Sequence, residues 1–135
     1  MDYFNQLMKF TYQTKQKPSA IIISFKGDLI DKEQTLELMK DIEHNIVENK
    51  NHFILNLSEL RYVNSSGLNV LINILTKSRN SGGEAIISNV PEKINKLIIT
   101  TKLNSLFTVA ESVVEAAEML ASASLSTGAK KETVK

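Results

Sequence analysis

The sequence predicts an α/β fold: a single domain with a mixed β-sheet of four to five strands, helices packed mainly on one side, and element order ββαβαβαβα. Three observations carry this. Short β-branched apolar runs alternate with stretches whose apolar residues recur every three to four positions. Breaks rich in Gly, Pro, Ser or Asn separate them. The 135 residues suit one hydrophobic core and not two.

Residues from about Lys9 to Gln16 alternate as a strand and lead through Pro18-Ser19 into Ala20–Phe25, a run of Ala-Ile-Ile-Ile-Ser-Phe, so the chain is expected to open with a hairpin. Lys26-Gly27-Asp28 reads as the end of that second strand. From Asp31 to Lys50, Leu36, Met39, Ile42 and Ile46 recur at helical spacing, with Leu38 and Val47 widening the stripe. A third strand is expected from His52 to Leu57, followed by a loop whose Leu60 and Val63 look buried. Gly67 then opens a helix with an apolar arc of Leu68, Leu71, Ile72 and Leu75, extended by Val70 and Ile74 and ended by Ser81-Gly82-Gly83. Glu84–Ser88 is the next strand. Pro91 suits a first helical turn before Ile94, Leu97 and Ile98, and Leu106–Ala110 is the last strand. Ser112 and Glu115 have capping-box spacing at the head of a final helix carrying Val113, Ala116, Ala117 and Leu120. Residues 125–135 lack apolar periodicity and are expected to be a flexible tail, leaving 1–124 as the domain.

Composition narrows the function. The chain is 42% hydrophobic and 23% charged, which is globular, and its net charge of +1 gives no bulk positive field for nucleic acid or anionic lipid. There is no cysteine, hence no disulfide, thiol nucleophile or thiolate metal site, and a reducing cytoplasmic setting is expected. No apolar run approaches the roughly 20 residues of a membrane span. His44 and His52 are not spaced at i, i+3 or i, i+4, so no metal site is expected. Neither the P-loop nor the dinucleotide-binding glycine pattern occurs, and no cofactor is expected. Asn64-Ser65-Ser66-Gly67 places serines between strand and helix but lacks the Gly-x-Ser-x-Gly elbow. Asp28, Asp31, Asp41 and Glu59 form no pair set apart from ordinary surface acids. Enzymatic activity is not expected.

Two readings of the serines stay open. Serine is a preferred helix N-cap, whose oxygen accepts a first-turn amide. The same position also tolerates a phosphate, which would meet free N–H groups and the positive end of the helix dipole. Phosphorylation adds about −1.5 to −2 charges, enough to repel a docked partner while leaving the domain folded.

The segment Phe53-Ile-Leu-Asn-Leu-Ser-Glu-Leu-Arg-Tyr-Val-Asn-Ser-Ser-Gly-Leu-Asn-Val-Leu71 resembles the signature of STAS domains, particularly bacterial anti-sigma factor antagonists. Phe25-Lys-Gly-Asp-Leu-Ile30 is similar to the family's Gly-Glu-Leu-Asp turn, and Gly82-Gly83 and Leu103–Phe107 fit its later elements, so the resemblance spans roughly 9–122. It implies partner switching. The unphosphorylated domain would bind an anti-sigma factor that is a serine kinase and so release a sigma factor; phosphorylation would cancel binding, and a PP2C-type phosphatase would restore it. The family's modified hydroxyl immediately precedes the motif glycine, which places it on Ser66, with Ser65 as runner-up and Gly67 as the helix-entry glycine. The family's acid at the motif head is Asn64 here, which keeps a hydrogen-bonding side chain without the charge; the acid of the earlier turn falls on Ile30, between Asp28 and Asp31.

The expected partner surface is Arg61, Tyr62, Asn64, Ser65, Gly67, Asn69 and Asn73, with Asp28 and Asp31, in the loop after the second strand, contributing less. Asn69 and Asn73, four apart, share one helix face. The alternative function is a stand-alone STAS subunit docking on a lipid-transport ABC ATPase or another signalling partner without phosphorylation. Either way the domain is expected to be a monomer or weak dimer, with no direct nucleic-acid contact and no membrane insertion.

Overall fold

The computed structural model describes residues 8–122; the tail expected at 125–135 lies outside the described residues. Five strands form one sheet in the order β1-β2-β3-β4-β5: β1 Thr11–Gln16, β2 Ile21–Leu29, β3 His52–Val63, β4 Glu84–Ser88 and β5 Thr108–Ala110. β1 and β2 are antiparallel, from Thr11 opposite Lys26 to Gln16 opposite Ile21, and the turn between them closes with the Lys17 amide donating to the Ala20 carbonyl at 2.9 Å. The remaining neighbours are parallel, so each crossover carries a helix. These are α1 (Leu36–Val47, preceded by a 3-10 turn at Lys32–Thr35), α2 (Ser65–Asn80) and α3 (Glu92–Thr100); α4 covers 113–122. The mixed sheet and the order ββαβαβαβα are as the sequence predicts.

Alternation along the strands sorts side chains to two faces. Ile21, Ile23, Phe25, Phe53, Leu55, Ala85 and Ile87 pack with Leu38 and Ile42 of α1, Leu68, Leu71, Ile74 and Leu75 of α2, and Ile94 and Ile98 of α3. Ala20, Ile22, Ile54, Ile86 and Ala110 meet Ala116 and Leu120 of α4 on the opposite face. Three helices therefore cover one side and one covers the other.

The elements depart from expectation at particular points. α1 buries Leu38 and Ile42, with Met39 and Ile46 partly covered, whereas Leu36 and Val47 are 60% and 79% exposed. They occupy the helix ends, where the stripe runs off the sheet. β2 continues through Lys26-Gly27-Asp28 to Leu29, and β3 continues through Ser58–Val63, where a loop was expected. Register shifts between Ser24 and Lys26 and between Gly27 and Asp28 make this extension possible, because a bulge resets which side chains face inward. At Gly27 the backbone has φ 97°, and an added Cβ would strike the Lys9 carbonyl oxygen, so glycine is required. The cap of α4 is shifted slightly from a capping box: Ser112 Oγ accepts the Glu115 amide at 3.0 Å, but the Glu115 carboxylate accepts from the Glu111 amide at 2.6 Å, not from that of Ser112.

Candidate functional site

The extension of β3 delivers the chain to the start of α2, and the site is built there. Asn64 is the N-cap, with extended backbone (φ −111°, ψ −169°), and its Oδ1 accepts the Gly67 amide at 2.9 Å. Its Nδ2 donates to the Ile30 carbonyl at 3.2 Å, tying the cap to the end of β2. A capping role for the serines is thereby corrected: the amide side chain of Asn64 both accepts and donates, which a hydroxyl in the next turn position cannot do from that place. Ser65 and Ser66 are the first two residues of the helix, which begins before Gly67; both are exposed, and their amides have no partner among the described residues. The first turn contains no acidic residue.

Gly67 is buried for a steric reason. A Cβ there would collide with the Leu29 carbonyl oxygen and with Cγ2 of Val63, so glycine lets α2 start flush against the ends of β2 and β3. It shapes the site without offering a surface to a partner.

The remaining residues divide between two depressions either side of the α2 start. Ser66, Asn69 and Asn73 lie with Asp31, Lys32 and Val70 around one of about 360 Å³. Arg61, Tyr62, Asn64 and Ser65 lie with Val63, Lys93, Ile94 and Leu97 around another of about 420 Å³. Sequence reasoning did not anticipate Lys32, Lys93, Ile94 or Leu97, which come from elements distant in the chain; only the crossover topology brings them here. Tyr62 is 53% exposed beside the apolar Ile94 and Leu97. Asp31 caps the 3-10 turn, Oδ1 accepting the Glu33 amide at 3.1 Å while Gln34 Oε1 accepts the Asp31 amide at 2.9 Å.

Asp28 is a correction. It lies inside β2, not in the loop after it, and is 1% exposed. Its carboxylate accepts Arg61 Nε at 2.9 Å, Arg61 Nη2 at 2.5 Å and the Met8 amide at 2.8 Å. The paired guanidinium holds the carboxyl below the usual carboxylate range against the opposing effect of burial, and the Met8 amide adds to it. Arg61 is raised in return. Asp28 fixes Arg61 along β3, and its own charge is spent inside the fold.

The histidines stand apart from this region. His44 is exposed and bridges to Glu48 at 3.2 Å, while His52 begins β3 at the opposite end of the strand. Among the described residues no three His, Asp or Glu side chains converge as metal ligands, and no helix is long and apolar enough to cross a membrane.

A five-strand mixed sheet covered by helices on both faces, with two exposed serines opening α2, defines a small α/β domain. The chain belongs to the STAS domain family, whose model matches residues 11–116. Solved structures share the fold. A putative anti-sigma factor antagonist from Thermotoga maritima is 21% identical with a TM-score of 0.66, over 81% of this chain and 93% of that one. The phosphorylated form of the Bacillus cell fate determinant SpoIIAA is 18% identical with a TM-score of 0.64, over 82% and 99%. The murine solute carrier Slc26a9, an anion transporter in its inward-facing state, is 12% identical with a TM-score of 0.71, over 88% of this chain but 23% of that one.

Proposed function

We propose that the chain is an anti-sigma factor antagonist that works by partner switching at Ser66. The observation that carries this is the placement of Ser66: exposed, second in α2, beside free helix amides and with no acid in its first turn. Family membership and the likeness to the Thermotoga protein and SpoIIAA support the reading. In the unphosphorylated state the two depressions dock a serine-kinase anti-sigma factor, which then gives up its sigma factor. The kinase moves the γ-phosphoryl of ATP onto Ser66 Oγ, releasing ADP and the hydroxyl proton. About −1.5 to −2 charges then sit at the centre of the docking face, where a partner must desolvate them, and the complex dissociates. A PP2C-type phosphatase hydrolyses the ester with water, freeing inorganic phosphate and restoring the serine. The fold itself absorbs the phosphate readily, because it sits on the positive end of the α2 dipole.

The neutral Asn64 serves the same end. It keeps the N-cap hydrogen bond while sparing a phosphate at Ser66 the repulsion of a carboxylate two residues away. Mass spectrometry of Ser66 in protein from its own cells, with pull-down of the partner, tests the proposal. Wild type and Ser66→Ala retain the kinase, whereas Ser66→Asp and the phosphorylated form lose it. Equal binding by all four forms rejects switching and leaves phosphate-independent docking.

A further inference from the structure

Building on Ser66 as the modified hydroxyl, we propose that Lys32 is the intramolecular partner of its phosphate. The residues around the Ser66 depression are Asp31, Lys32, Asn69, Val70 and Asn73, so Lys32 supplies its positive charge and Asp31 its negative one. The two acidic or basic neighbours differ in freedom. Asp31 is pinned into the 3-10 turn by its bond from the Glu33 amide. Lys32 is exposed and has no ion-pair partner among the described residues, so its ammonium is available on a long, rotatable stem.

The turn that carries Lys32 is itself held in place. Its capping box closes on Asp31, Gln34 Nε2 donates to the Asp28 carbonyl at 3.0 Å, and Thr35 Oγ1 donates to the Lys32 carbonyl at 2.7 Å. Asn64 Nδ2 binds the Ile30 carbonyl, so the turn and the α2 start are tied through one residue. A phosphate on Ser66 without Lys32 would face Asp31 of that turn with only the helix amides to balance it. With Lys32, the ammonium and the Ser65 and Ser66 amides surround it from both sides. The bridge lays the phosphate over the Asn69 and Asn73 face, where an incoming partner meets it. Lys32 is a positioning residue for the modified state and is idle in the unmodified one.

The test uses the full chain with phosphoserine inserted at position 66 during translation, and follows the ³¹P shift against pH. A cation beside the phosphate favours its dianion, so the wild-type midpoint lies below that of Lys32→Gln by about half a pH unit, with Lys32→Arg close to wild type. The gap shrinks in high salt. Phosphoserine at 65, on the other depression, is insensitive to Lys32→Gln. Identical midpoints for wild type and Lys32→Gln at position 66, or an equal shift at position 65, overturn the assignment. Absence of Ser66 phosphorylation in cells would reject the switching function while this titration still decides the ion pair.

Discussion

Replacing Arg61 by alanine removes two of the three hydrogen bonds that the buried Asp28 carboxylate accepts, leaving only the Met8 amide. Breaking a fully buried ion pair costs about 3–5 kcal/mol, because the abandoned charge has no solvent. Here the arginine side chain is 46% exposed, so water follows into the vacated space and recovers part of that penalty. Charge-assisted hydrogen bonds contribute about 1.5–3 kcal/mol, so Arg61→Ala is expected to lose about 2–3 kcal/mol at neutral pH. The pH dependence has a fixed sign. The folded carboxyl of Asp28 lies below its unfolded value near 3.9, so the stability it supplies is complete above about pH 5 and is lost as pH falls through the folded value. In Arg61→Ala the burial that opposed the arginine is left to push the carboxyl up, so the variant's penalty shrinks on acidification from a higher pH. Urea unfolding of both proteins at pH 7 and at steps down to pH 4 measures this, with Asp28→Asn and the double variant closing a cycle. A loss below about 0.5 kcal/mol, or a gap unchanged down to pH 4, would refute the assignment of Arg61 as the partner that keeps Asp28 ionised in the interior.

Two further outcomes follow from the packing. Gly67→Ala forces a methyl against the Leu29 carbonyl and Val63, and since backbone cannot yield cheaply it is expected to lower stability by about 2–3 kcal/mol in thermal unfolding; an unchanged Tm would show that α2 can shift. Ser88 is 0% exposed and its hydroxyl has no hydrogen-bond partner among the described residues, so Ser88→Ala should leave stability equal or raise it by up to about 1 kcal/mol, and a clear loss in urea titration would contradict this.

The amphipathic helices and the short central strands were legible because burial on one or both faces writes a period into the chain. Ile21–Ile23 and Phe53–Leu55 show this directly, and Leu68, Leu71 and Leu75 likewise. The second half of β3 was not legible. Ser58, Glu59, Arg61 and Tyr62 are exposed, Leu60 and Val63 stand three apart, and bulges in β2 shift the register that a period of two assumes. Asp28 was misplaced for the same reason, since its burial depends on Arg61, 33 residues away, and nothing local announces that pairing. Gly67 and the serines at the helix start were legible from spacing, and the resemblance singled out Ser66 from Ser65; the steric fit of Gly67 against Leu29 and Val63 needed the geometry. Lys32 escaped notice because a lysine in a turn carries no signal until the turn is seen to face α2.

β3 pairs with β4 only from His52 to Asn56, whereas its pairing with β2 runs on to Val63. The strand thus overhangs the sheet like a cantilever, fastened along one side by β2. Because the α2 start hangs from that overhang, its first turn is referred to the N-terminal hairpin, while the body of α2 rests on β4. Changes in β2 and its bulges re-aim the serines, whereas changes in α3, which lines the depression beside Ser65, reshape the surface next to them.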